Sequence, residues 1–183
     1  MKDYDAIFLD RDGTLNPDPG YIASLADFQL FEFSLEALRL LAGQGQRFCI
    51  VTNQSGVERG LIDRAALEEI HNHLRGIFRE QGIPLLGIYY CTDHPDQASE
   101  NRKPGGGMFR QAAQEHQLDL ARCLMIGDSG KDIEAGIKLG MDTMLVLTGE
   151  GRKTQKKLSA RLKPDFIAES ILTGAQMLIA GEK

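Results

Sequence analysis

A chain of 183 residues, 42% of them hydrophobic, is long enough to bury one substantial core and has about the size of one α/β domain. Its 21 basic and 26 acidic residues leave a net charge of −5, which argues against a protein that holds nucleic acid through its overall field. An odd set of cysteines (Cys49, Cys91, Cys123) without C-x-x-C spacing speaks against a secreted disulfide framework, and no window approaches the ~20 apolar residues that span a bilayer, so a cytoplasmic chain without a membrane partner is expected.

In chain order, Met1-Lys2-Asp3-Tyr4-Asp5 precedes the short apolar run Ala6–Leu9, too short for a signal-peptide core and of strand length. A helix with Leu35, Leu38 and Leu41 on one face follows behind Ser34 as a possible cap, then an apolar strand at Phe48–Val51. Leu67, Ile70, Leu74, Ile77 and Phe78 mark a second helix behind Asp63, with Gly82 and Pro84 as stops. Strands are then expected at Ile88–Tyr90, Leu124–Ile126 and Met144–Leu147, with helices at Met108–His116 and Ile133–Leu139 between them. Arg152, Lys153, Lys156, Lys157, Arg161 and Lys163 read as a solvated helix face, with anion contact near a site as the alternative; a short Phe166–Ala168 strand and a helix from Ser170 close the chain.

Strands alternating with helices favour a parallel sheet covered on both faces, because parallel strands need crossover connections. The expected fold is therefore a doubly wound, Rossmann-like α/β sheet forming one domain over residues 1–183, with no repeat, linker or large inserted cap. In such sheets ligands bind outside the carboxyl ends of the strands, so function is sought just after each apolar run.

The strongest such segment is Leu9-Asp10-Arg11-Asp12-Gly13-Thr14-Leu15-Asn16, whose carboxylates Asp10 and Asp12 leave a strand end two residues apart and can face one crevice. A carboxylate attacking a phosphoryl group needs a cation to relieve the repulsion between oxygens, and Mg²⁺ held by a few carboxylates supplies it. Asp10 is the candidate nucleophile and metal ligand. Asp12 is the candidate acid and base, with its carbonyl as a further ligand. Taken alone, D-x-D-G also reads as an acidic turn.

Val51-Thr52-Asn53-Gln54-Ser55-Gly56 offers hydroxyl and N–H donors to phosphate beyond the second strand, or simply a cap and turn. Arg102-Lys103-Pro104-Gly105 places cations before a predicted helix start, where Lys103 could neutralise charge on a transferring phosphoryl group; alone it is ordinary surface chemistry. Ile126-Gly127-Asp128-Ser129-Gly130-Lys131-Asp132 supplies Asp128 as a metal carboxylate and Asp132 to orient Lys103 or a metal-bound water, or else a loop and helix cap. The weight lies in the combination of nucleophile, phosphate donors, lysine and metal carboxylate at successive strand ends.

In that order, Asp10-x-Asp12-Gly13-Thr14, Thr52, Lys103 and Gly127-Asp128 resemble the haloacid dehalogenase superfamily of phosphatases. Asp10–Asn16, Val51–Gly56 and Arg102-Lys103-Pro104 are similar to the branch holding the heptose bisphosphate and histidinol-phosphate phosphatases. The resemblance implies a magnesium-dependent phosphomonoesterase with Asp10, Asp12, Thr52 and Lys103 as catalytic residues and Asp10, Asp12 and Asp128 at the metal. It implies contacts of Asp18, Gly20, Tyr21, Asn53, Gln54, Ser55, Arg59, Arg102 and Lys103 with a small phosphorylated sugar, and a monomer.

Those relatives carry a zinc loop of the form C-x-H then C-x-C before R-K-P. Here Cys91 stands, Asp93 takes the histidine's place, and 97–101 holds no cysteine, so Cys91, Asp93 and His94 cannot close a four-ligand site and no zinc is expected. The alternatives are histidinol phosphate or another small ester as substrate, a polynucleotide 3′-phosphatase, and a phosphate-metabolite binding module. A dinucleotide-binding protein would need the G-x-G-x-x-G turn that the first strand lacks.

Overall fold

The computed structural model describes residues 1–181. Six parallel strands, β1 (Ala6–Leu9), β2 (Phe48–Asn53), β3 (Leu85–Cys91), β4 (Cys123–Gly127), β5 (Asp142–Val146) and β6 (Phe166–Ala168), lie in the order β3-β2-β1-β4-β5-β6. The chain builds outward from β1 in one direction and then returns to build from β4 in the other. The strand order thus reverses between β1 and β4, where a doubly wound sheet opens its crevice.

β1 shows why the centre is apolar throughout. Its four residues are fully buried, with Ile7 and Leu9 on one face and Ala6 and Phe8 on the other, as period-two alternation requires of a strand covered twice. The first face packs under α1 (Ser34–Ala42), α2 (Arg64–Glu80) and α6 (Ile171–Ala180) through Leu38, Leu41, Leu74, Phe78 and Leu178. The second lies under α3 (Gly107–His116) and α4 (Gly130–Lys138), where the Phe8 and Phe109 rings sit 5.2 Å apart.

The expected elements are present with shifted ends. β3 begins at Leu85 rather than Ile88; as an edge strand paired only with β2, its first three residues are half-buried and carry a weak apolar signal. β5 starts earlier, at Asp142, and ends at Val146, so Leu147 falls just outside it. α4 starts at Gly130, three residues before the apolar pattern begins, because Ser129 and Asp132 form a reciprocal capping box.

Ser34 is not a helix cap. It is the first residue of α1, and its buried hydroxyl donates to the Leu15 carbonyl at 2.8 Å, tying the helix to the segment after β1. The basic stretch after β5 folds as the short α5 (Gly151–Gln155) and an irregular turn rather than a long helix. Among the described residues no helix is long and apolar enough to cross a membrane.

Candidate active site

The strand ends converge on a cleft of about 690 Å³ lined by Asp10, Asp12, Thr52, Arg102 and Asp128, among others. Asp10 follows β1 directly, its N–H donating to the Ile126 carbonyl of β4 at 2.9 Å, so it stands at the point where the strand order reverses. One carboxylate oxygen each from Asp10, Asp128 and Asp132 lie within 4.8 Å of one another, and all three residues are buried.

Lys103 is the cation set among them, with Nζ at 2.7 Å from Asp10 Oδ1 and 2.6 Å from Asp132 Oδ1. It is held from β2: Nζ donates to the Val51 carbonyl at 2.8 Å, and the Asn53 amide brackets its backbone, accepting from Lys103 N at 3.0 Å and donating to Lys103 O at 3.1 Å. Burial opposes the ammonium charge, but Asp10 and Asp132 outweigh it and leave the lysine's pKa raised.

A single ammonium does not balance three carboxylates. Burial, and then the neighbouring carboxylates Asp132 and Asp128 against the opposing Lys103, push the Asp10 pKa well above the usual carboxylate range. Burial followed by Asp132 raises Asp128 to about 7. Buried oxygen donors with excess negative charge fit a hard divalent cation such as Mg²⁺.

Gly13 and Gly149 give the Asp128 carboxylate its space. A β-carbon on Gly13 would fall 2.2 Å from Asp128 Oδ2, and one on Gly149 would fall 2.1 Å from the same atom. Glu150 N donates to that oxygen at 2.6 Å, and Thr148 Oγ1 donates to the Gly13 carbonyl at 2.6 Å, so the loop after β5 closes over the first motif.

Asp12 also lines the cleft, but its carboxylate lies outside the three-carboxylate cluster. Its oxygens are taken by Arg11 Nε (2.9 Å) and Nη2 (2.8 Å), Asn16 Nδ2 (2.9 Å) and Gln54 Nε2 (2.7 Å). Burial works against the charge, but Arg11 overcomes it and holds the Asp12 carboxyl below its ordinary value. The Asp12 side chain is thus engaged away from the cluster, while Asp132 meets Lys103, the lysine-orienting place the sequence reading gave it, and also brings one oxygen into the three-carboxylate cluster.

Among the other expected substrate contacts, Asp18, Gly20, Tyr21, Asn53, Gln54 and Ser55 line the cleft. The amides of Asn53 and Gln54 are already engaged with Lys103, Asp12 and Thr52. Arg59 is exposed and does not line the cleft.

Lys131, Glu134, Glu150, Thr154, Lys157 and Leu162 also line the cleft, and sequence reasoning named none of them as a site residue. The basic stretch 152–163, whose alternative reading was anion contact near a site, was the one signal for Lys157.

Hydrogen bonds tie down the loop after β3. Asp93 Oδ2 accepts from Ser99 N at 2.8 Å, Arg102 Nη1 donates to the Asp93 carbonyl at 3.0 Å, and His94 caps the short turn Pro95–Gln97, accepting from Asp96 N. Cys91 is buried, which raises its thiol pKa to about 11. Among the described residues Cys91, Asp93 and His94 form no cluster with metal-binding reach.

A crevice at the strand-order reversal, a carboxylate at the central strand end and a lysine between acidic groups define a hydrolase of the haloacid dehalogenase type. The HAD-hydrolase-like family model matches residues 100–174. The chain is 36% identical to the D-glycero-β-D-manno-heptose-1,7-bisphosphate 7-phosphatase of Photorhabdus laumondii, over 90% of this chain and 92% of that one. It is 39% identical to the Pseudomonas aeruginosa enzyme of the same name, over 82% and 85%.

The solved D,D-heptose 1,7-bisphosphate phosphatase from B. bronchiseptica, complexed with magnesium and phosphate, superimposes with a TM-score of 0.88 at 33% identity, covering 99% of both chains. The chain belongs to the family of heptose-1,7-bisphosphate 7-phosphatases within the haloacid dehalogenase-like phosphatases.

Proposed function

We propose that this protein is a magnesium-dependent phosphomonoesterase that removes the 7-phosphate of D-glycero-β-D-manno-heptose 1,7-bisphosphate through a phosphoryl-Asp10 intermediate. The observation that carries it is the buried set in which Asp10 and Asp128 line the cleft and Asp132 and Lys103 contact them from behind, in a chain whose relatives are named heptose-1,7-bisphosphate 7-phosphatases.

Asp10, Asp128 and the Asp12 carbonyl would hold Mg²⁺, with Asp132 beside them. Bound there, the ion offsets the negative charge of the nucleophile and of the phosphate oxygens. Asp10 attacks phosphorus as the ester oxygen departs. Lys103, between Asp10 and Asp132, faces the charge that grows on the transferring group. Thr52, 1% exposed at the end of β2, offers its hydroxyl to a phosphate oxygen.

Asp12 gives a proton to the leaving oxygen, so the product is a neutral alcohol. Its resting contacts favour the ionised form, so it takes that proton from solvent when the arrival of an anionic phosphate beside it raises its proton affinity. Asp12 then takes a proton from the water that attacks phosphoryl-Asp10; the water oxygen leaves in inorganic phosphate, Asp10 is an ionised carboxylate again, and Asp12 sheds its regained proton to solvent as the phosphate departs. Asp18, Gly20, Tyr21, Ser55 and Arg102 supply polar and aromatic contacts to the sugar. Residues 1–183 act as one domain, as a cytoplasmic monomer that engages neither nucleic acid nor membrane.

Phosphate release from the heptose bisphosphate, histidinol phosphate, other sugar phosphates and a 3′-phosphorylated oligonucleotide, with Mg²⁺ and with EDTA, tests this. Magnesium-dependent turnover strongest on the heptose bisphosphate is expected, and Asp10→Asn should abolish it while leaving the circular dichroism spectrum unchanged. Stronger turnover of another ester would discard the substrate, and undiminished activity of Asp10→Asn would discard the mechanism.

A further inference from the structure

Two buried ionisable side chains beneath the cleft, Arg11 and His71, take no part in the chemistry set out above. Arg11 sits between the two motif carboxylates in sequence and is 0% exposed. A charge removed from water this completely needs partners for all its donors. Its fork meets both oxygens of Asp12 through Nε and Nη2, and its remaining arm, Nη1, lies 3.2 Å from Nε2 of His71 on α2. The Phe28 ring lies 5.8 Å from the guanidinium carbon, and the Tyr90 ring 5.0 Å from that of His71.

A guanidinium only donates, so Nε2 of His71 accepts and the neutral ring carries its proton on Nδ1. That Nδ1 is buried and has no hydrogen-bond partner among the described residues. An unpaired buried donor costs about 1–3 kcal/mol, which an apolar residue on this face of α2 would avoid. Packing therefore does not explain a histidine here; an acceptor for Arg11 does.

We propose that Arg11 and His71 form one positioning unit for Asp12, with His71 fixing the guanidinium and the guanidinium fixing the orientation of the carboxylate that passes the proton. The unit rests on the phosphatase reading and deepens it. Without the fork, Asn16 and Gln54 hold one oxygen each, which leaves Asp12 in place but free to turn away from the leaving oxygen.

The test compares kcat/KM on two esters, since this ratio reports the step in which the ester oxygen leaves. The heptose bisphosphate releases an alcohol that needs a proton; p-nitrophenyl phosphate releases a phenolate that does not. Arg11→Met and His71→Leu should lose about tenfold or more on the first ester and less than about threefold on the second, as a disturbed proton donor predicts. His71→Gln, which keeps an acceptor, should retain most of the activity, and the double variant Arg11→Met/His71→Leu should lose no more than Arg11→Met alone.

Equal losses on both esters, additive losses in the double variant, or no rescue by His71→Gln would overturn the positioning unit. Should His71→Leu melt below the assay temperature, Arg11→Lys takes its place, since it keeps the charge and loses the fork: selective loss supports the unit and unselective loss overturns it. Wild-type protein inactive on both esters would overturn the phosphatase reading and the unit with it, whereas an active wild type with unselective variants overturns the unit alone.

Discussion

Gly13 packs against Asp128 so closely that a β-carbon on the glycine would fall 2.2 Å from the aspartate's Oδ2. The backbone φ of +87° at Gly13 is also one that side-chain-bearing residues rarely adopt, so two independent constraints select glycine here.

Gly13→Ala should push Asp128 away from Asp10 and weaken Mg²⁺ binding by about tenfold or more, as misplacing a metal ligand does. Titration calorimetry with Mg²⁺ measures this. An unchanged affinity would show that Asp128 tolerates the shift or does not hold the metal.

The loop after β3 depends on Asp93, whose carboxylate fixes Ser99 and whose carbonyl receives Arg102. Asp93→Ala should release Ser99 and loosen Arg102, raising KM for the sugar phosphate several-fold while changing kcat less, in line with lost ground-state contacts. Elemental analysis of the wild-type protein should find no stoichiometric zinc, and a zinc chelator should leave its melting temperature unchanged. One zinc per chain would revise the ligand assignment of this loop.

His71 makes stability depend on pH. Burial, and then Arg11, hold its pKa down to about 3, so the folded protein keeps the ring neutral while the unfolded chain takes up a proton below about 6.5. Its contribution is complete above the unfolded value and is lost as pH falls from there toward 3. Between pH 7 and 5 the wild type should lose about 1–2 kcal/mol through this residue, read from urea unfolding, and His71→Gln should lose correspondingly less. Identical pH dependence in the two proteins would remove His71 from this role.

The first motif was legible because chemistry and secondary structure coincide in it: an apolar strand ends, and Asp10, Asp12 and Gly13 follow at once. Lys103 was singled out by its position before a helix start, and the structure sets it between Asp10 and Asp132. Arg11 was not, because a lysine or arginine between two aspartates in sequence reads as solvated surface. Its burial depends on Phe28 and on His71, which lies 60 residues away. Asp12 lines the crevice as the strand alternation implied, but the set of its carboxylate by Arg11, Asn16 and Gln54 was not legible, nor was the approach of Asp132 to Asp10 and Asp128 beside its expected contact with Lys103.

By itself the sequence determined the alternation of strands and helices, the parallel sheet that follows from it, and the strand ends at which polar groups appear. These are local properties, set by side-chain period, caps and the length of apolar runs. Only the tertiary structure decided that β1 lies between β2 and β4, and hence that Asp10 meets Asp128 and Asp132 together with the β2-anchored Lys103 that joins Asp10 to Asp132. It also decided that the loop after β5 closes on Gly13 and that His71 meets Arg11. Each of these is a contact between segments distant in the chain, fixed by which strands pair and which faces pack rather than by any local pattern.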